Sequence, residues 1–131
     1  MNVKIDTKEK FSVITPDEHE IPANLTEELK NTVIVFLAAP VPHVVLNLQS
    51  VQQISKEAAT CIAEMQQQFY DNNASFVVCA LQPAVEETFE QSDLLELMNV
   101  TPTESEAWDI VQMEEIEREL MGDFDEETNA S

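Results

Sequence analysis

Residues 42–71 decide the fold of this chain, and they read PHVVLNLQSVQQISKEAATCIAEMQQQFYD. The run 44–48 is short, apolar and rich in β-branched residues, which predicts a buried strand. After it, apolar residues recur at helical spacing with polar residues between them, which predicts an amphipathic helix. The turn between the two elements, residues 49–55, therefore follows the carboxyl end of a strand. Open α/β sheets tend to place their functional surfaces there.

A second strand and helix follow the first pair. Residues 75–81 read SFVVCAL, which predicts another buried strand, and Pro83 suits the first turn of a helix after it. Two apolar strands joined by a helix form a βαβ unit, so we expect them to be parallel with a right-handed crossover. Residues 94–100 then provide a short last strand or an irregular apolar segment.

Before residue 42, the sequence predicts a hairpin or two short edge strands and then a helix. Apolar and polar residues alternate over 3–5 and again over 11–15. Asn24 followed by Glu27 resembles a capping box and opens a helix, which Pro40 and Pro42 end.

The carboxyl end of the chain predicts one more helix and a tail. Thr103 and Glu106 form a Thr-x-x-Glu capping box, and Gly122 is expected to end the helix that they open. We therefore predict one α/β domain over 1–121 and an acidic flexible tail over 122–131.

The net charge of −20 limits the partners of this 131-residue chain. Such a charge repels phosphate backbones and anionic lipid headgroups, so we expect no direct binding of nucleic acid and no membrane insertion. From Gln82 onward sixteen acidic residues face Arg118 alone, which leaves −15 in this part. This acidic half is either a solvated face or a docking surface for a basic partner.

The two cysteines and the absence of a leader predict a soluble cytoplasmic protein. Cys61 and Cys79 lie within a predicted helix and a predicted strand, so we expect buried, reduced thiols. No basic-then-apolar leader is present, and no apolar run approaches the roughly 18 residues that span a bilayer.

The sequence argues against an enzyme. Its only glycine is Gly122, which excludes a P-loop, a dinucleotide-binding glycine turn and an α/β-hydrolase elbow. The only bases near neutrality are His19, in a loop predicted over 16–23, and His43, at the entry to a strand. We expect a solvated loop and a structural histidine, and therefore no catalytic residue, no metal site and no cofactor.

Three stretches resemble the STAS domain and, within it, the bacterial anti-sigma factor antagonists. They are VVLNL from residue 44, SVQQISKEAATCIAEM from residue 50 and FVVCALQPAVEETFEQSDL from residue 76. The resemblance spans residues 3–120. It implies an α/β fold with a small mixed sheet of four or five strands, flanked by about four helices. It also implies a domain that acts by binding proteins and has no catalytic activity.

The resemblance also implies a site at the start of the central helix. In phosphorylated members this turn carries an Asp-Ser-Ser-Gly-like motif with a modified serine, and Ser55, Lys56, Glu57 and Ala58 occupy those four positions here. Glu57 thus replaces the phosphoacceptor serine, and ordinary phosphorylation is not expected there. Ser55 or Thr60 is the alternative modified residue.

Physical chemistry gives two interpretations of Glu57. Ser55 is a good N-cap residue, which places Glu57 in the first helical turn. A carboxylate there is stabilised by the helix dipole by about 0.3–1 kcal/mol. Glu57 is then either a permanent, weaker substitute for a phosphate or merely a favoured first-turn residue.

The expected function is non-catalytic regulation by binding an anti-sigma factor or a switch-kinase-type partner through residues 49–60. The alternative is a STAS-like accessory subunit of a membrane transport assembly, whose basic surface would suit the acidic carboxyl half. Homodimerisation stays open at this point.

Overall fold

Seven strands and four α-helices form the computed structural model, which describes the backbone of residues 1–130 and the side chains of residues 1–121. The strands are β1 (Val3–Thr7), β2 (Ser12–Pro16), β3 (Glu20–Ile21), β4 (Val44–Asn47), β5 (Gln53–Ile54), β6 (Phe76–Cys79) and β7 (Val100–Thr101). The α-helices are α1 (Thr26–Ile34), α2 (Lys56–Asp71), α3 (Pro83–Gln91) and α4 (Glu104–Ala130).

Five of the strands pair into one mixed sheet in the order β1-β2-β4-β6-β7. β4 and β6 are parallel, with Val44 opposite Phe76, and α2 connects them. The predicted βαβ unit is therefore confirmed. Of the two alternatives predicted before residue 16, β1 and β2 form the antiparallel hairpin. Of the two predicted for residues 94–100, the short strand is present as β7, parallel to β6. The predicted mixed α/β fold class, with a sheet of four or five strands, is confirmed.

The two faces of the sheet are buried by different helices. Alternate residues of the strands point to opposite faces, so Leu46 joins the core beneath α1, α2 and α3, whereas its neighbour Val45 packs toward α4. Ala107 and Val111 of α4 complete this second core. The residues 49–60 and α4 thus lie on different sides of the central sheet.

A second, two-stranded sheet was not predicted. β3 lies in the predicted loop 16–23 and β5 in the predicted turn 49–55, and they pair in parallel with Ile21 opposite Ile54. Each strand has two residues. Two residues are too few to show a period-two pattern, so the sequence contains no signal for this pairing.

The predicted helix after residue 24 is present, but its start is different. A 3₁₀ turn, Ala23–Leu25, precedes α1, and another, Val35–Ala38, follows it. The capping box at Asn24 is wrong, because Leu25 is the residue that precedes α1 and no side chain caps this helix. The Leu25 N–H instead donates to the Pro22 carbonyl at 3.0 Å. The helical segment therefore begins with a backbone hydrogen bond and without a side-chain cap.

α4 begins as predicted and ends later than predicted. Thr103 Oγ1 accepts the Glu106 N–H at 3.2 Å, which confirms the cap. The helix then continues through Gly122, so the predicted end there is wrong. A glycine within a helix costs only about 1 kcal/mol relative to alanine, and the glutamates that follow favour helix. The predicted flexible tail, residues 122–131, lies outside the residues whose side chains the structure describes. The division into a domain over 1–121 and a tail therefore stays a prediction.

Both cysteines are buried free thiols, as predicted. Within residues 1–130, no helix has both the length and the apolar character needed to cross a bilayer.

Candidate functional site

Ser55 begins α2 and holds its first turn. Its backbone is extended, with φ −74° and ψ 158°, and its Oγ accepts the Ala58 N–H at 3.0 Å. This geometry is that of a helix N-cap, in which a side-chain oxygen satisfies one of the free N–H groups of the first turn. The predicted capping role of Ser55 is confirmed.

The loop between β4 and α2 is fixed at its first residues. Asn47 Oδ1 accepts the Gln49 N–H at 2.9 Å, and Gln82 Nε2 donates to the Gln49 carbonyl at 2.8 Å. Val51 is fully buried in the core beneath α1, α2 and α3. These contacts tie the loop both to the end of its own strand and to the start of α3.

The second half of the loop is held by the segment that contains β3. The Gln52 N–H donates to the His19 carbonyl at 2.7 Å, and the Ser55 N–H donates to the Ile21 carbonyl at 2.9 Å. His19 thus contributes its backbone to the site through the unpredicted β3–β5 pairing. The result is a preorganised surface, because its backbone groups already have partners.

The predicted site residues divide into exposed and buried ones. The side chains of Lys56, Glu57 and Thr60 are exposed, Ser55 is partly exposed, and Ala58 is fully buried in the core. Ala58 contributes to the site through its N–H group, and its side chain does not reach the surface. Thr60 Oγ1 donates to the Lys56 carbonyl at 2.9 Å, so this hydroxyl is engaged within the helix.

An open groove of about 490 Å³ separates the start of α2 from α1. On the α2 side it is lined by three of the predicted site residues, Lys56, Glu57 and Thr60. On the α1 side it is lined by Thr26, Glu27 and Lys30, which the sequence did not single out. The sequence places the α1 residues on a polar helical face but does not say which helix packs beside it. Two ammonium groups and several carboxylates therefore share this groove.

A smaller groove of about 270 Å³ lies on the other side of Ser55. Gln53 and Ile54 of β5 line it together with Ala84 and Thr88 of α3. The start of α2 therefore forms a ridge between two shallow depressions. Such a surface suits contact with another protein better than enclosure of a small molecule, which prefers a concave apolar pocket.

His43 lies at the opposite end of β4 from this ridge. It is 9% exposed, and its Nδ1 accepts the Ser75 N–H at 3.1 Å. Burial lowers the pKa of His43, and the nearby Arg118 guanidinium lowers it further. These contacts fit the predicted structural role. Among the described residues, no group of three His, Cys, Asp or Glu side chains is arranged to hold a metal ion.

The sequence matches the model of one protein family over most of its length. The sequence model of the STAS domain matches residues 2–107, which is most of the chain. The chain belongs to the STAS domain family. STAS domains are generally non-catalytic regulatory domains, and this is the general kind of function that the family gives the chain.

Solved structures with the same fold include anti-sigma factor antagonists. A candidate antagonist from Thermotoga maritima has a TM-score of 0.76 at 18% identity, over 84% of this chain and 94% of that chain. An anti-sigma factor antagonist from Mycobacterium paratuberculosis has a TM-score of 0.74 at 19% identity, over 85% and 93% of the two chains. At these identities the likeness concerns the fold.

A STAS-like fold also occurs inside a much larger membrane protein. A murine anion transporter of the solute carrier 26 family matches 79% of this chain with a TM-score of 0.66 at 12% identity. Only 18% of the transporter chain takes part in the match. At this identity the likeness again concerns the fold alone.

Proposed function

We propose that this STAS domain is a cytoplasmic, non-catalytic regulator that binds an anti-sigma factor or a switch-kinase-type protein through residues 49–60. The observation that carries the proposal is the position of Glu57. It lies exposed in the first turn of α2, on the rim of a groove and beside the exposed Lys56.

The proposal gives Glu57 the role of a constant negative charge. Free N–H groups and the helix dipole at a helix N-terminus favour an anion there, whether it is a carboxylate or a phosphate. A carboxylate has less charge and fewer acceptor oxygens than a phosphate. A lysine or arginine of the partner would therefore be attracted to Glu57 as it would be to a phosphoserine at this position, but more weakly.

Ordinary phosphorylation is therefore not part of the proposed function at position 57. If a kinase does modify this surface, Ser55 is the better-placed acceptor. A phosphate on Ser55 would meet the free N–H groups of the first helical turn. The Thr60 hydroxyl is committed to the Lys56 carbonyl within the helix.

The first experiment identifies the partner by cross-linking the full chain in lysate of its native host, followed by mass spectrometry. We expect an anti-sigma factor or a switch kinase, cross-linked to residues 49–60. In a separate pull-down, which does not depend on a reactive lysine, the Lys56→Glu variant should no longer retain this partner. Cross-links that map only to other surfaces would contradict the proposed interface. A transporter component as the partner would replace the proposed function with the transport-assembly alternative.

A second experiment tests the absent phosphorylation. The wild-type chain and its Glu57→Ser variant are incubated with the identified kinase and ATP, and their intact masses are compared. We expect a phosphate on the variant and an unchanged wild-type mass. A phosphorylated wild-type chain would show that another residue has taken over the modification, and peptide mapping would distinguish Ser55 from Thr60.

A further inference from the structure

The outer face of α4 carries a row of large apolar side chains that the domain leaves exposed. Met113, Ile116 and Leu120 are 54%, 56% and 64% exposed. Ala107 and Val111, on the opposite face of the same helix, are fully buried against the sheet. α4 is therefore apolar on two faces, and only one of them contributes to the folded domain.

The spacing of the three exposed residues places them in one row. They follow each other at i, i+3 and i+7, so they align along two turns of the helix. Single exposed apolar side chains are common and need no explanation, whereas an aligned row is the pattern by which helices recognise other helices. We refer to Met113, Ile116 and Leu120 as the outer row.

Carboxylates surround the outer row. Asp109, Glu117 and Glu119 are exposed on the same stretch of α4. Arg118 is the only basic residue after Lys56 in the whole chain, and it points toward the domain, where its guanidinium donates to Ser75 Oγ. The outer row therefore lies among carboxylates, and the one basic residue in the sequence of this helix is turned toward the domain.

This charge selects among the molecules that could cover the outer row. A second copy of the chain would bring two sets of carboxylates together. Like charges placed opposite each other in an interface reduce the binding free energy by several kcal/mol. Anionic lipid surfaces are disfavoured for the same reason. A protein segment with apolar residues flanked by lysine or arginine satisfies both the apolar row and its acidic border.

We propose that the outer row of α4 binds an amphipathic basic helix of a protein partner. This surface is separate from residues 49–60, because α4 and α2 pack on opposite faces of the central sheet. The proposal does not depend on the function proposed above. The domain could thus hold one protein through the start of α2 and a second segment through α4.

The test uses a fluorescent helical peptide that has leucines at i, i+3 and i+7 and lysines beside them. Its dissociation constant for the full chain is measured by fluorescence anisotropy. We expect the Ile116→Gln and Leu120→Gln variants to weaken binding by about tenfold or more, which corresponds to about 1.4 kcal/mol. The matched control is Leu97→Gln, because Leu97 is 68% exposed but lies outside α4; we expect it to bind like the wild type. Circular dichroism checks that each variant is folded.

Several results would overturn the proposal. One is equal binding by a peptide in which serines replace the leucines, since attraction would then come from net charge alone. Another is an absence of binding by the wild-type chain. A third is a dimer in sedimentation experiments that Ile116→Gln abolishes, since a second copy would then cover the row. Binding to phosphatidylserine vesicles that depends on Leu120 would likewise identify a different occupant.

Discussion

Ser55 Oγ lies 3.0 Å from the backbone nitrogen of Ala58 and accepts its hydrogen bond. This contact fixes the first turn of α2, and Glu57 projects from that turn. The serine at the first motif position therefore has a structural task that is independent of any modification. The hydrogen bond connects the fold of the domain to the geometry of its proposed binding surface.

Replacing Ser55 by alanine should destabilise the protein. Loss of an N-cap side chain typically costs about 0.5–2 kcal/mol, and Ser55→Asp should retain most of the stability because aspartate also caps. Urea unfolding measures the difference. Ser105→Ala is a suitable control, since Ser105 is exposed within the first turn of α4. Equal stabilities of the Ser55→Ala variant and the wild type would contradict the capping role.

Ser75 and Arg118 should be energetically coupled. The buried Ser75 Oγ donates to Glu114 Oε1 at 2.6 Å and accepts from the Arg118 guanidinium, which joins α4 to the start of β6. Ser75→Ala should cost about 1–3 kcal/mol, because it removes hydrogen bonds to two charged groups, which contribute more than bonds between neutral groups. In a double-mutant cycle with Arg118→Met we expect a coupling energy of about 0.5–3 kcal/mol. The same cycle with the distant, exposed Lys30→Met should be additive, and coupling as large there would contradict this prediction.

His43 should make stability depend on pH between neutral and mildly acidic conditions. Burial, and secondarily Arg118, lowers its pKa below the ordinary value of 6.5, so the unfolded chain binds the proton more readily. The stability from neutral His43 is fully present above pH 6.5 and is lost as the pH falls through the lowered pKa.

The test compares unfolding of the wild type and His43→Asn, which keeps an acceptor for the Ser75 N–H and cannot titrate. We expect the stability of the wild type relative to this variant to decrease between about pH 7.5 and about pH 5.5. A difference between wild type and His43→Asn that stays constant with pH would refute the prediction.

Cys79 should be protected from alkylation in the folded protein. It is fully buried, and burial raises the pKa of its thiol to about 12. Since the thiolate is the nucleophile, Cys79 should react with iodoacetamide only after unfolding. Cys61 lines the groove between α1 and α2 and should react first, although burial raises its pKa as well. Peptide mass spectrometry follows both sites, and equal rates in the native protein would contradict the described packing.

The sequence predicted the central elements because their signals are local and strong. The apolar runs of β4 and β6 reflect burial on both faces of the sheet, and the helical periodicity of α2 reflects burial of one face of that helix. The resemblance to STAS domains then indicated the start of α2 as the site. The capping position of Ser55 was also predictable, since the preference for serine at an N-cap has a known physical cause.

Other features of the site depend on contacts between distant parts of the chain. The pairing of Ile21 with Ile54 fixes the loop before α2, yet each strand is too short to be read from a pattern. Lys30 lines the groove beside Glu57 because α1 packs next to α2, and no periodicity specifies that neighbour. The burial of Ala58 could be expected from its position on the apolar face of α2. Because Ala58 is buried, the exposed part of the proposed binding surface consists of the residues around it.

The most direct test of the account is a calorimetric titration of the purified partner with the wild-type chain and the Glu57→Lys variant. We expect the charge reversal to weaken binding by about tenfold or more, because an interface charge pair becomes a repulsion. Glu106→Lys is the matched control, since Glu106 is also an exposed first-turn glutamate but lies in α4, on the other side of the sheet. We expect the Glu106→Lys variant to bind with wild-type affinity. Unchanged affinity of the Glu57→Lys variant, or an equal loss in both variants, would contradict the proposed role of Glu57.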